Sequence, residues 1–480
     1  MADRLPLEIL SQIAEYIHEE VEEAEEEADP VLHKAARASL EKAAAVSGKW
    51  KAAFDPFLYK TFDLQCTNTY PWGLHKSNLS VFKARTSGPL GVPRRNVIRN
   101  VSYYIKIAYK APKRPTDHKI GSIQKANEYA YRSAVAGLFE VLRTWDNSCR
   151  LTLGLHLAYG SRPKQPSPTE SNNSQNYFES IGTTIAIPDV HCINTLYLES
   201  NEHVEDGREL YSVSTKTLLE VAHHCTTLKE LYVSPRTASF PDWEPRDHNE
   251  EQRHDIAIGL CDLPSSLQTL RFMEENIAAV GFPLVLSRND NLFTANLRSM
   301  SVHLRHLELS RARLPPDFLV PLDESHKPIQ DSLHWPRLEL VQIHQAPTFT
   351  HAGELELEED NILSESTSPD PKDKALYNRA FISTAYAVRQ MPRLATFMYT
   401  TIDHYIFQGL PDHYSIFKFK NDRATRTVTA QWISITGYKP GKRVANAWGF
   451  RLSDMTVRYD GPKATSRIEL SAWPPTKTWY

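Results

Sequence analysis

Cysteine is scarce in this chain. There are five in 480 residues (Cys66, Cys149, Cys192, Cys225 and Cys261), an odd number, widely scattered and without CxxC spacing. That pattern excludes a disulfide framework and a paired-thiol zinc module, and it fits a reducing compartment in which thiols serve as small buried hydrophobes. No apolar run approaches the roughly 20 residues that a membrane span requires. The opening residues lead straight into an amphipathic pattern, without the basic-then-apolar layout of a secretion signal. A net charge of −3 provides none of the basic excess on which nucleic-acid binding rests. Local clusters such as Lys106, Lys110, Lys113 and Arg114, or Lys418, Lys420 and Arg423, read as solvated faces. The expectation is a cytoplasmic and/or nuclear protein with neither a membrane nor a nucleic-acid partner.

Catalytic signatures are missing as well. The chain has no GxSxG, HExxH, GxGxxG or phosphate-loop motif, and Gly437 to Lys442 reads GYKPGK, one residue short of the last. His191-Cys192 and His223-His224-Cys225 put metal-ligating types side by side, but without the paired spacing of a structural zinc site. The acidic cluster Glu358-Glu359-Asp360 lies in a polar segment unable to hold a fixed separation for acid/base work. No catalytic residue, metal or cofactor is expected.

What the chain does have begins at its N-terminus. Ile9, Leu10, Ile13, Tyr16 and Ile17 share one face of a helix that should start just after Pro6. An acidic run over 19–30 either prolongs that helix or forms a solvated spacer. A second stripe, Val31, Leu32, Ala35, Ala36, Leu40, Ala43, Val46 and Trp50, predicts another helix running to Trp50. Two such helices cannot bury their apolar faces alone, which implies a partner surface.

Further on, a phrase of the form apolar-x-x-apolar-x-apolar recurs. Its clear copies start at 193, 228, 267 and 304, with weaker ones at 338 and 394 and earlier ones at 98 and around 151. From 193 to 338 the starts are 35, 39, 37 and 34 residues apart. Each phrase alternates as a half-buried strand should, and helical stretches (126–145, 218–225, 376–391) lie between them. Repetition at such a period signals stacked strand–helix units sharing one core. The phrase resembles the strand of a leucine-rich repeat, although the period is longer than usual. In such an array the residues alternating with the buried leucines line one open sheet face, so Tyr197, Glu230, Tyr232, Arg271, His306, Glu308 and Gln342 are candidate contacts to a target protein. Segments 161–176, 234–253 and 353–374 read as loops. In the last eighty residues, 428–432, 448–452 and 468–470 read as strands between Gly/Pro turns, and Trp432, Trp448, Trp473 and Trp479 read as a cap closing the array.

The N-terminal residues also resemble an F-box, the adaptor-binding module of modular ubiquitin ligases. The resemblance is carried by Leu5, Pro6, Glu8, Ile9, Leu10, Ile13 and Ile17, then Val46, Ser47, Lys49 and Trp50, then Pro56, Leu58 and Tyr59. Pro6 and Trp50 are 44 positions apart, longer than the family usually allows, the excess being the acidic segment. The resemblance implies a non-catalytic receptor that binds a Skp-type adaptor, and through it a cullin–RING assembly, with Leu5, Pro6, Ile9, Leu10, Ile13, Ile17, Val46, Trp50 and Leu58 forming the contact or the small core behind it. The whole arrangement, including Met391-Pro392-Arg393-Leu394 and the aromatic tail, is similar to fungal F-box proteins. The expected fold is α/β: an F-box-like helical domain at 1–62 with an acidic insertion at 19–30, an irregular leucine-rich-repeat-like solenoid with a parallel curved sheet at 63–400, and a strand-rich mixed cap at 401–480. The rival expectation is a non-catalytic interaction scaffold acting outside a ligase.

Overall fold

The structure is a computed structural model, and it describes residues 5–26, 38–66, 77–89, 91–107, 117–159, 185–199, 213–234, 246–274, 288–312, 314–329, 333–347, 371–402, 414–425, 427–434, 437–460, 463–470 and 473–474. Contacts divide the chain into two compact units, 1–203 with 224–227, and 204–223 with 228–480. The division falls inside the repeat region rather than at residue 62 or 400.

In the first unit α1 (Leu7–Glu26) starts directly after Pro6, whose carbonyl accepts from the Leu10 N–H at 3.2 Å. A proline ahead of a helix forfeits only an N–H that would find no partner inside it. The acidic run is helical as far as Glu26. The second stripe does not make one helix running to Trp50. Residues 38–44 form α2, the chain turns at 45–47, and α3 (Gly48–Leu58) begins anew. Ser47 makes the break: its backbone is extended, and its Oγ accepts from Trp50 N–H at 3.4 Å. A serine that caps a helix start ends the one before it.

Next come β1 (Thr61–Gln65), β2 (Ser77–Asn78), α4 (Leu79–Thr86), α5 (Gly91–Val97), β3 (Asn100–Ile107), α6 (Asp117–Leu142), β4 (Leu151–Tyr159) and β5 (Ile193–Glu199). The strands pair in the order β2-β1-β3-β4-β5, all parallel. β1 is a further copy of the phrase, Tyr59 to Leu64, with an aromatic at its first position. Thr61 pairs with Asn100 at the equivalent place, and Phe62 and Leu64 are buried. The strand region therefore begins inside the stretch assigned to the helical domain.

The second unit comprises α7 (Thr215–His223), β6 (Glu230–Ser234), α8 (Arg246–Cys261), β7 (Thr269–Met273), α9 (Arg288–Ser301), β8 (His306–Ser310), β9 (Leu340–Pro347), α10 (Pro371–Arg389), β10 (Thr396–Ile402), β11 (Tyr414–Asp422), β12 (Thr427–Ser434), α11 (Lys442–Trp448), β13 (Thr456–Asp460) and β14 (Lys463–Leu470). β6 to β10 are parallel in chain order, and β10-β11-β12-β14-β13 continue antiparallel. The chain is thus mixed α/β with mostly parallel, open β-structure. Parallel neighbours need a crossover, and helices supply several of these.

Register is uniform from phrase to phrase. Glu230, Thr269, His306, Leu340 and Thr396, each the third residue of its phrase, pair in one row. One carbonyl per phrase accepts two N–H groups of the next. Lys229 O takes Gln268 and Thr269 (2.8 and 2.9 Å), Gln268 O takes Arg305 and His306 (2.7 and 3.0 Å), and Arg305 O takes Glu339 and Leu340 (2.7 and 3.1 Å). In the first unit Lys60 O takes Arg99 and Asn100 in the same way.

The fourth and sixth residues of the phrases, Leu231, Val233, Leu270, Phe272, Leu307, Leu309, Val341 and Ile343, are buried. Helices cover that side, as the 5.6 Å approach of the Phe272 and Phe293 rings records. Fully burying such a side chain contributes about 1.5–3 kcal/mol.

Two further expectations are corrected. Of the segment read as a loop at 234–253, residues 246–253 belong to α8, because Arg253, Ile256, Ala257 and Leu260 recur at helical spacing and are buried. Its polar first turns concealed that stripe. Residues 448–452 are not a strand. Trp448 ends α11, Gly449 takes the left-handed backbone that caps it (φ 73), and Leu452 begins a 3-10 turn. Trp432 and Trp448 lie fully buried among Phe381, Phe417 and Phe419. They belong to the core of this unit. Segments 161–176 and 353–370, and Trp479, lie outside the described residues.

Candidate functional site

Two surfaces collect the residues singled out in the sequence. The first is the helical module of α1, α2 and α3. Its core is Leu10, Ala14, Leu40, Ala53 and Phe54, with Ile13, Ile17, Trp50, Phe57 and Leu58 packed partly buried against it. The Trp50 and Phe54 rings stack at 5.5 Å. Residues 10, 14 and 17 repeat at helical spacing on the inner side of α1, whereas 9 and 16 fall on an outer line. The apolar stripe is therefore split. Leu10 is sealed within the module, while Leu5 (36% exposed), Leu7 (43%), Ile9 (40%), Tyr16 (65%) and Val46 (53%) stay in solvent beside the exposed Pro6. Leu7 was not among the sequence candidates; it stands three and seven residues before Leu10 and Ala14, on their line, and is exposed at the first turn of α1.

Beside this module a hollow is lined by Glu41, Lys51, Asp55, Tyr59, Asp63 and Arg85 among others, none of the lining residues being serine, cysteine or histidine. Burial pushes the Asp55 carboxyl above its usual range, against the pull of Lys51 and Arg94. The hollow carries charges of both signs.

The second surface is the uncovered face of the second unit's sheet. Glu230, Tyr232, Arg271, His306, Glu308 and Gln342 come together there on four neighbouring strands, half-buried or exposed. Arg271 Nε donates to Glu308 Oε2 at 2.9 Å, and its guanidinium sits 4.7 Å over the Tyr232 ring. Tyr232 Oη donates to Glu230 Oε2 at 3.4 Å. Tyr197, on β5, belongs to the other unit. Sequence reasoning missed the continuation of this face onto β10 to β14, where Met398, Lys418, Gln431 and Arg467 form one row. The alternation in 414–420 was the signal that would have found it.

His223 and His224 are tied into the scaffold. His224 Nδ1 lies 2.7 Å from Asp189, and His223 Nδ1 2.6 Å from the Asp262 carbonyl. Cys149, Cys192 and Cys225 are buried, and burial pushes the Cys192 thiol up to about 12. Among the described residues, no three His, Cys, Asp or Glu side chains are placed to hold a metal ion. No described helix is long and apolar enough to cross a membrane. Comparison with protein-family models, with curated proteins and with solved structures finds no match to this chain.

Proposed function

We propose that the chain is the target-recognition subunit of an SCF-type ubiquitin ligase, acting in the cytoplasm or nucleus. Its N-terminal module, residues 1–62, is an F-box that docks a Skp-type adaptor, and its repeat region is of the leucine-rich-repeat kind and holds a target protein. The observation that carries this reading is the split of the first stripe. A compact apolar core stands behind Leu5, Pro6, Ile9 and Val46, which a self-contained hairpin would have no reason to leave bare. Covering each aliphatic anchor contributes about 1.5–3 kcal/mol, before the losses of association. The chain itself performs no chemistry in this role. It positions a target near a thioester carried by other subunits, which raises the effective concentration of the reacting groups.

Co-purification with a Skp-type adaptor and a cullin tests the reading. Wild type should retain both, and Ile9→Asp with Val46→Asp should lose both while keeping its thermal midpoint, since the two side chains are exposed. Failure of the wild type to hold the adaptor, or retention by the double variant, would discard the assignment in favour of a scaffold outside any ligase.

A further inference from the structure

We propose that the uncovered face of β11, β12, β14 and β13 binds an acidic polypeptide segment across Lys418, Lys420, Arg458 and Arg467. The pairing register gathers these four from distant points of the sequence. Lys418 pairs with Gln431, which pairs with Arg467, which pairs with Thr456; Arg458, two residues along β13, lies on the same face opposite Thr465. All four side chains are exposed. Among the described residues none of the four has a carboxylate within ion-pair distance.

The described carboxylates sharing this face, Asp422, Asp460 and Glu469, are outnumbered by its cations. Asp422 accepts from the Ala424 and Thr425 N–H groups at 3.0 and 3.3 Å in the β11–β12 turn, and the nearby Lys420 charge also favours its ionised form. Asp460 stands opposite Lys463 at the end of the β13–β14 pair. Glu469 stands in the row of Lys420 and Thr429. The β6–β8 part of the same sheet differs, because its Arg271 is satisfied by Glu308 and Tyr232. A local positive excess in a chain of net charge −3 selects an anionic occupant by complementarity.

Geometry narrows the occupant to an extended peptide. Lys418 and Lys420 stand about 7 Å apart along β11, the spacing of alternate side chains on an extended chain, and Lys418 and Arg467 about 10 Å apart across two strand gaps. Between the cations lie Gln431, Thr429 and Thr465, which offer donors and acceptors to a peptide backbone, and Met398 adds an apolar contact opposite Lys418. A single-stranded nucleic acid would call for aromatic stacking platforms, and the residues between these cations include none. The inference goes beyond the adaptor reading, because this face captures or ignores an acidic segment whether or not the helical module docks an adaptor.

Fluorescence anisotropy on the full chain tests it, with a labelled dodecapeptide of alternating Glu and Thr, its Lys/Thr counterpart and an oligo-dT of equal charge. The acidic peptide should bind, more weakly as salt rises. Lys418→Glu with Lys420→Glu, and separately Arg467→Glu, should weaken it at least about tenfold, and the double variant should gain the Lys/Thr peptide. Thermal midpoint and adaptor co-purification should not change in these variants. No binding by wild type at low salt, equal affinity in wild type and charge-reversed variants, or tighter binding of oligo-dT would each overturn the proposal.

Discussion

Arg271 and Glu308 meet at 2.9 Å across β7 and β8, and they occupy the same position of consecutive phrases. The pair is half exposed on the arginine side, so water and salt screen it. Its alignment over Tyr232 makes the three side chains one rigid cluster on an otherwise polar face. Arg271→Ala should therefore change the stability of the chain by under about 1 kcal/mol. Urea denaturation measures that value, and a loss several times larger would show that the cluster supports the fold rather than decorating its surface.

The buried pair of the same unit behaves differently. Arg253 and Glu274 approach to 2.7 Å with side chains only 4% and 1% exposed, and the guanidinium lies 4.8 Å over the Phe293 ring. Removing one charge leaves the other in the interior without this partner. Glu274→Leu should lower stability by about 3–5 kcal/mol, and Arg253→Met added to it should recover much of that loss. Equal destabilisation by single and double variants in denaturant titration would contradict this account.

Within the helical module, position along one stripe decides the outcome of substitution. Leu10 is fully buried and Ile9 is 40% exposed. Leu10→Ala should destabilise by about 2–5 kcal/mol, whereas Ile9→Ala should stay within about 0.5 kcal/mol of wild type. Thermal unfolding followed by circular dichroism separates the two, and similar losses at both positions would place Ile9 in the interior.

Asp55 gives the module a pH signature. Burial raises its carboxyl above the unfolded value, with Lys51 and Arg94 opposing. A group with a raised folded pKa favours the native state below its unfolded pKa, and that contribution disappears as pH climbs through the folded pKa. Near neutral pH the ionised carboxylate is therefore a liability. Asp55→Asn should raise the thermal midpoint at pH 7 and have little effect at pH 3. A variant that is destabilised at pH 7 would show that the attraction of Lys51 and Arg94 outweighs burial.

Thiol chemistry should report the packing of the first unit. Cys149, Cys192 and Cys225 are buried, and burial raises all three thiols, which suppresses the reactive thiolate. Cys261 is exposed and Cys66 half-buried. A thiol-specific chromogenic reagent at pH 8 should label two of the five cysteines of the native chain quickly, and all five after denaturation. Rapid labelling of four or five without denaturant would mean that the buried thiols are open to solvent.

The parallel strands were legible because their signal is local. Apolar residues at the first, fourth and sixth places of a short phrase are sufficient, and every phrase from Leu228 to Tyr399 lands in a strand, with the expected face buried except at the half-buried Tyr399. β1 escaped because Tyr59 fills the leading position, and α8 because Arg253 stands where an aliphatic residue was sought; its charge is met by Glu274, a partner no window could reveal. Trp448 looked like a strand residue because aromatic content favours strands, yet its indole N–H donates to the Phe381 carbonyl at 3.0 Å from a helix end. On the open face, sequence alternation chose residues one strand at a time. Which of them stand side by side depended on register, and register was beyond any single phrase. In α1 the stripe was visible, but only the placement of Leu40, Ala53 and Phe54 determined which half of it turned inward.

The doubly used carbonyls of Lys229, Gln268 and Arg305 start successive strands from one common line, although the phrases they belong to are spaced unevenly. Connections in this array are consequently free to lengthen or shorten while the lattice of outward side chains stays fixed. Selection can then rewrite the exposed residues of one rung, or splice a new excursion between two rungs, without moving the side chains on either side.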